Sequence, residues 1–214
     1  FLLVVSRLYD PLQGALQNLA AVISTRTNIA RMNEILDHPI QQGEHRLSNK
    51  GYDITFDHVG FAYNTGENVL KDVSFTAKQG EVTALVGPSG GGKTTVSRLA
   101  ARFWDVSRGK ISVGGMDISK IDPEALLSLF SIVFQDVTLF DNTILDNIPI
   151  GNKDATDEQV LAAARLANVD EFAEKLPDGW HTNIGENGCG LSGGERQRIS
   201  IARAFLKNAP IILL

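Results

Sequence analysis

The sequence predicts an α/β domain with a partly parallel sheet, preceded by one long helix. Three observations carry this. Strand patterns alternate with helical ones from Tyr52 to Leu214. An apolar run, GEVTALVG, feeds a glycine-rich loop that opens a helix. A polar, irregular stretch at 38–50 separates all of this from a leading segment with a helical period.

The leading helix is expected over 11–37. Leu12, Leu16, Leu19 and Ile23 recur at helical spacing, and Ile29, Met32 and Leu36 resume the stripe after a slip. Pro11 suits a first turn. Pro39 disfavours helix in the residue before it, so the helix should stop at Asp37-His38. Beyond the 38–50 linker, Ile54, Phe56 and Val59 begin a strand. Further strands are expected at 70–77 and 81–86, the second running straight into the loop. A helix follows at 93–104, then short strands at 110–114 and 131–134. Helices are expected at 157–167 and 193–207, and Ile211 to Leu214 reads as a buried strand. There is no internal repeat or low-complexity segment.

Length and composition bound the rest. The 214 residues suit one large domain or one domain with an appendage. With 43% hydrophobic and 21% charged residues, an ordinary packed core is expected. A net charge of −5 and a pI of about 5.4 argue against a chain whose main task is gripping nucleic acid. Cys189 is the single cysteine, so there is neither a disulfide framework nor a cysteine-rich metal site, which fits a reducing compartment. Cys189 itself reads as a small buried residue. No run reaches the roughly 18 apolar residues of a membrane span. The opening FLLVV lacks a basic leader and a cleavage site, so it is not a signal peptide. Both ends read as cut from something longer.

GPSGGGKT, Gly87 to Thr94, matches the pattern G-x-x-x-x-G-K-[ST]. Gly87, Gly90, Gly91 and Gly92, with Ser89 between them, let successive backbone N–H groups converge on a polyphosphate. The helix behind them turns its positive end to the same anion. Lys93 can reach the β- and γ-phosphates, the Thr94 hydroxyl can ligate Mg²⁺, and Thr95 belongs to the same helix start. The competing reading is a glycine-rich turn, and the flanking strand and helix patterns weigh against it. Alone the motif says nucleotide and nothing of purpose.

LSGGERQR, Leu191 to Arg198, narrows this. Ser192 stands at a helix N-cap, Gly193 and Gly194 bare the backbone, and Glu195 begins a helical run, so this is a second anion site at a helix start. The string resembles the signature motif of ATP-binding-cassette (ABC) proteins. Two such motifs about a hundred residues apart, in this order, are far more specific than either alone. The resemblance covers roughly residues 11–214. It implies a P-loop NTPase of ABC type, with an antiparallel β subdomain and a helical subdomain, preceded by the long helix and truncated at its C-terminus. The implied domains are 1–37, the end of a last transmembrane helix and its cytoplasmic extension; 38–50, a linker; and 51–214, an incomplete ATP-binding domain.

The resemblance also assigns roles. The signature, Ser192 to Glu195, would cover the γ-phosphate of ATP held by a second nucleotide-binding domain, identical or different. Tyr63 would stack on adenine, against the plainer reading of strand packing. Gln135, in SIVFQD, would touch Mg²⁺ or water and sense the transmembrane partner. Glu195 stands where many exporters carry Gln. LFDNTILDNI, Leu139 to Ile148, and TNIGENG, Thr182 to Gly188, resemble exporter stretches, and Glu186 would lie near the membrane domain. With the leading helix, these features favour an exporter of a cell membrane, its ATP-binding part on the cytoplasmic side and its permease in the same polypeptide. The transported substrate is unspecified and nucleic acid is not a partner. Rival readings stay open: a soluble ABC ATPase acting on nucleic acid or ribosomes, a separate importer ATPase, and an inactive regulatory fragment. In the family an Asp, a general-base Glu and a switch His follow the strand that here ends at Leu214, and the 214 residues hold none of them. These residues are therefore expected to bind ATP weakly and not to turn it over.

Overall fold

The computed structural model describes residues 2–37, 40–63 and 68–214. His38 and Pro39, expected at the helix end, and Asn64 to Glu67 lie outside the described residues. The chain divides into two compact units, Phe1–Gln41 and Gln42–Leu214.

The first unit is helix α1, Leu2–Leu36. It starts nine residues before the expected position, with Pro11 inside it. A proline removes only its own N–H from the ladder, and the leucine-rich turns on both sides continue the helix across it. Leu12, Leu16, Leu19 and Ile23 are all exposed. Among the described residues no helix is long and apolar enough to cross a membrane.

In the second unit, β1 (Ile54–Ala62) pairs antiparallel with β2 (Asn68–Ala77) and with β3 (Arg108–Val113), which pairs with β4 (Met116–Asp117). Alternation along β1 puts Ile54, Phe56, Val59 and Phe61 into the core. Part of the expected linker belongs to this unit. Glu44 exchanges backbone hydrogen bonds with Lys120 and Asp122, and Lys50 donates to Gly114.

Helix α2, Lys93–Ala100, lays Val96, Leu99 and Ala100 onto that core. It ends four residues before the expected 104. Arg102 takes a left-handed φ of 55°, which stops the helix. Its buried guanidinium then bonds Asp105 at 2.7 Å and the Ile121 carbonyl.

The strand expected at 81–86 does not form. Val82 and Val86 are 99% and 93% exposed, and the segment has no ladder partner among the described residues. A strand that is apolar on both faces is stable only between neighbours, and no sheet neighbour reaches it here. Helix α3 (Pro123–Leu127) leads into β5 (Phe130–Ile132), which pairs in parallel with β6 (Ile211–Leu213).

A second core is helical. Around it stand α4 (Ile144–Asn147), α5 (Asp157–Leu166), α6 (Asp170–Ala173) and α7 (Gly193–Lys207). Its buried centre includes Ile144, Ile148, Val160, Ala164, Ile184 and Ile199.

Candidate functional site

The phosphate loop is exposed from Gly87 to Gly91. Gly90 and Gly92 hold φ values of 78° and 83°, a region that side chains resist. A Cβ on Gly92 would come within 2.8 Å of Leu70, so the loop lies close against β2. The Lys93 ammonium folds across the loop and donates to the carbonyls of Gly87 (2.9 Å) and Pro88 (2.7 Å). Among the described residues, the N–H groups of Gly92, Lys93 and Thr94 have no acceptor, as expected of a helix's first turn. Thr94 is exposed and Thr95 buried.

Thr95 meets Tyr63, whose hydroxyl lies 3.1 Å from Thr95 Oγ1. The half-buried Tyr63 ring stands edge-on to Phe61 and Trp104, with centroids 4.8 and 5.3 Å away. An aromatic row continues through Phe103 to Phe134, the residue before Gln135. Gln135 itself is exposed.

The signature is built as its sequence suggests. Ser192 caps α7: its hydroxyl accepts from Glu195 N–H at 3.4 Å, and its own N–H donates to the Glu195 carboxylate at 2.7 Å. The Ser192 hydroxyl and N–H hold that carboxyl below its ordinary pKa. A Cβ on Gly193 or Gly194 would meet nothing in this chain. Cys189, expected to be buried, is exposed; it sits in a turn whose close neighbours, Gly185 and Gly188, leave its thiol at the surface.

The two exporter-like stretches are brought together. Thr143 bridges Asn183, Ile144 N–H donates to Thr182, and Ile184 N–H donates to Asn142. Glu186 is exposed beside them. The phosphate loop and signature are not joined: α2 packs in the β-rich core and α7 in the helical one. A hollow of about 450 Å³, lined in part by Gln159, Leu166 and Phe205, involves neither motif.

Sequence reasoning missed Asn147 and Arg203. Asn147 is fully buried, and Arg203 on α7 bonds it. The signal was a polar residue inside the apolar run ILDNI and an arginine inside ISIARAFL.

A sequence model described as ABC transporter matches residues 70–214. The chain belongs to the ABC transporter family. Membership of this family carries ATP binding with it. This ABC chain is similar to the mycobactin import ATP-binding/permease protein IrtB of Mycolicibacterium thermoresistibile. The two are 44% identical over 216 residues, covering 100% of this chain and 37% of that protein. It is similar also to an ATP-dependent lipid A-core flippase of Legionella pneumophila, 47% identical over 182 residues, 84% of this chain and 31% of that one. The solved structure of a bacterial Atm1-family ABC exporter with ATP bound superposes with a TM-score of 0.81 at 38% identity, covering 89% of this chain and 34% of the other. The ABC chain thus spans about a third of the length of each.

The donor set fits a polyphosphate. Free N–H groups, a helix start and an ammonium converge on one glycine loop. It fits Mg²⁺ as well. The exposed Thr94 hydroxyl and the exposed Gln135 amide are oxygen donors of the kind Mg²⁺ takes at nucleotides, where phosphate and water supply the rest.

Proposed function

We propose that these residues are the ATP-binding part of an ABC exporter, in which ATP binding and hydrolysis drive a substrate across a membrane. The observation that carries this reading is the pair of glycine-led helix starts on one chain, one behind a loop exposed from Gly87 to Gly91 and one exposed from Ser192 to Gly194. Gly193 and Gly194 relieve no contact in their own fold, so their bareness serves something that approaches from outside.

The loop from Gly87 to Thr95 would wrap the triphosphate, with the free backbone N–H groups of Gly92, Lys93 and Thr94 turned to it. The Lys93 ammonium, held by two carbonyls, would shift to the β- and γ-phosphates, a stronger pair than its present neutral acceptors. The Thr94 hydroxyl and Gln135 amide would hold Mg²⁺, which would neutralise phosphate charge there. Tyr63 would offer a ring face to adenine. Ser192, Gly193 and Gly194 would close on the γ-phosphate of ATP in a second nucleotide-binding domain, identical or different. Glu195 acts through the cap, because its carboxylate is committed to Ser192.

The transmembrane domain would be part of the same polypeptide, with α1 continuing its last helix and residues 51–214 forming the ATP-binding domain on the cytoplasmic side of a cell membrane. Relatives named for import and for flipping match these residues alike, so the substrate lies outside this reading. The net charge of −5 keeps nucleic acid outside it too.

The test uses the full-length protein in lipid vesicles. Lys93→Ala should weaken ATP binding and cut hydrolysis by about 100-fold or more. Ser192→Ala should leave affinity within about twofold while slowing turnover, since it acts on the partner's nucleotide. Wild-type hydrolysis in Lys93→Ala would sink the reading.

A further inference from the structure

Arg203 and Asn147 are far apart in sequence and share the helical core. Asn147 is fully buried and its amide is saturated. Its Oδ1 accepts from Phe140 N–H (2.9 Å) and Arg203 Nη2 (2.9 Å), and its Nδ2 donates to the carbonyls of Phe140 (3.1 Å) and Thr143 (2.9 Å). That uses both acceptor and both donor positions of an asparagine side chain. Arg203 spends its fork on the same stretch. Nε donates to the Asn147 carbonyl and Nη1 to the Thr138 carbonyl, each at 2.8 Å. Burial lowers the guanidinium from its ordinary pKa, yet arginine stays charged, so these carbonyls replace water around a cation. Gly151 lets the chain press on this point, because a Cβ there would strike the Arg203 carbonyl.

We propose that Arg203 and Asn147 are a positioning pair, riveting the stretch after Gln135 to the signature helix so that displacement of one is delivered to the other. Arg203 stands eleven positions beyond Ser192 on α7, about 16 Å along a continuous helix. The stretch is fixed a second time, to the turn that precedes the helix. Leu139 N–H donates to Asn187 Oδ1 at 3.0 Å, five residues before Ser192. Residues 138–148 are thus tied to α7 at Arg203 and to the turn before it at Asn187, while the chain from Phe134 to Val137 carries no such tie among the described residues. Movement should hinge there and carry Ser192 with it. The pair touches no nucleotide and acts through Ser192. This rests on the signature role proposed above.

The test compares Arg203→Lys and Asn147→Asp with wild type in the full-length protein in lipid vesicles. Lysine keeps the charge and loses the planar fork. Aspartate keeps Oδ1 and turns the donor facing Phe140 and Thr143 into an acceptor. Each should leave the KM for ATP within about twofold and lower kcat about tenfold or more, and the double variant should be no slower than the worse single. Hydrogen exchange at Leu139 and Phe140 should quicken in Arg203→Lys and stay unchanged at Phe56 and Ile111. Wild-type kcat in Arg203→Lys overturns the pair. So does a kcat loss with faster exchange at Phe56 and Ile111, which marks general destabilisation. A wild-type protein lacking Lys93-dependent hydrolysis rejects the ATPase reading instead, and unchanged exchange at Phe140 in Arg203→Lys would then overturn the pair by itself.

Discussion

The two glycine-led helix starts draw on very different amounts of distant structure. The signature helix closes its own beginning, with Ser192 and Glu195 satisfying each other across one turn. Its end is closed as locally, by Asn208 in a left-handed cap. The phosphate loop has no side-chain cap at Gly92, and the run before it finds no strand partner among the described residues. The lesson is that a helix start can be written in four residues, whereas a buried parallel strand depends on neighbours far along the chain.

The largest expected effect tests that contrast directly. In hydrogen exchange on this chain, amides of 82–86 should exchange at nearly the open-chain rate. Those of Ile199 to Leu206 should be protected by about a thousandfold or more. Equal protection in both places would break the comparison.

A smaller effect sharpens it. Ser192→Ala should cost about 1 kcal/mol of stability in urea titration, by removing a cap that nothing else replaces. A loss below a few tenths would mean that the helical core, and not the cap, fixes the start of α7.

The smallest effect is a pH dependence. The folded-state pKa of Glu195 is lowered by its hydrogen bonds to the Ser192 side chain and backbone. Its contribution is therefore fully present above the unfolded value and is lost as pH falls through the lowered one. Glu195→Gln retains a capping side chain without a charge. The melting-temperature difference between wild type and Glu195→Gln should shrink on acidification through that window, and a constant difference would remove the carboxylate from the account.

Elements whose signals sit within a turn were legible beforehand. The helix at 193–207 has the predicted bounds, and α5 falls one residue short of prediction. The glycine-rich loop was legible as well, because its positive-φ glycines and the helix behind it follow one another within a few residues. Arg102 shows the opposite case. Nothing in the local string AARFWD announces a left-handed turn, which is stabilised by Ile121, nineteen residues away. The start of α1 is ambiguous in the sequence because Pro11 is compatible both with a first turn and with a helix that runs through it.

What the sequence alone determined, then, is the order of elements, the two glycine-led helix starts and the family they resemble. Periodicity, caps and glycine spacing act between residues a few positions apart. The tertiary structure decided which residues meet: Tyr63 with Thr95 across 32 positions, and Asn147 with Arg203 across 56. A buried amide or guanidinium must find partners once water is excluded, and the fold, rather than local spacing, decides where those partners stand.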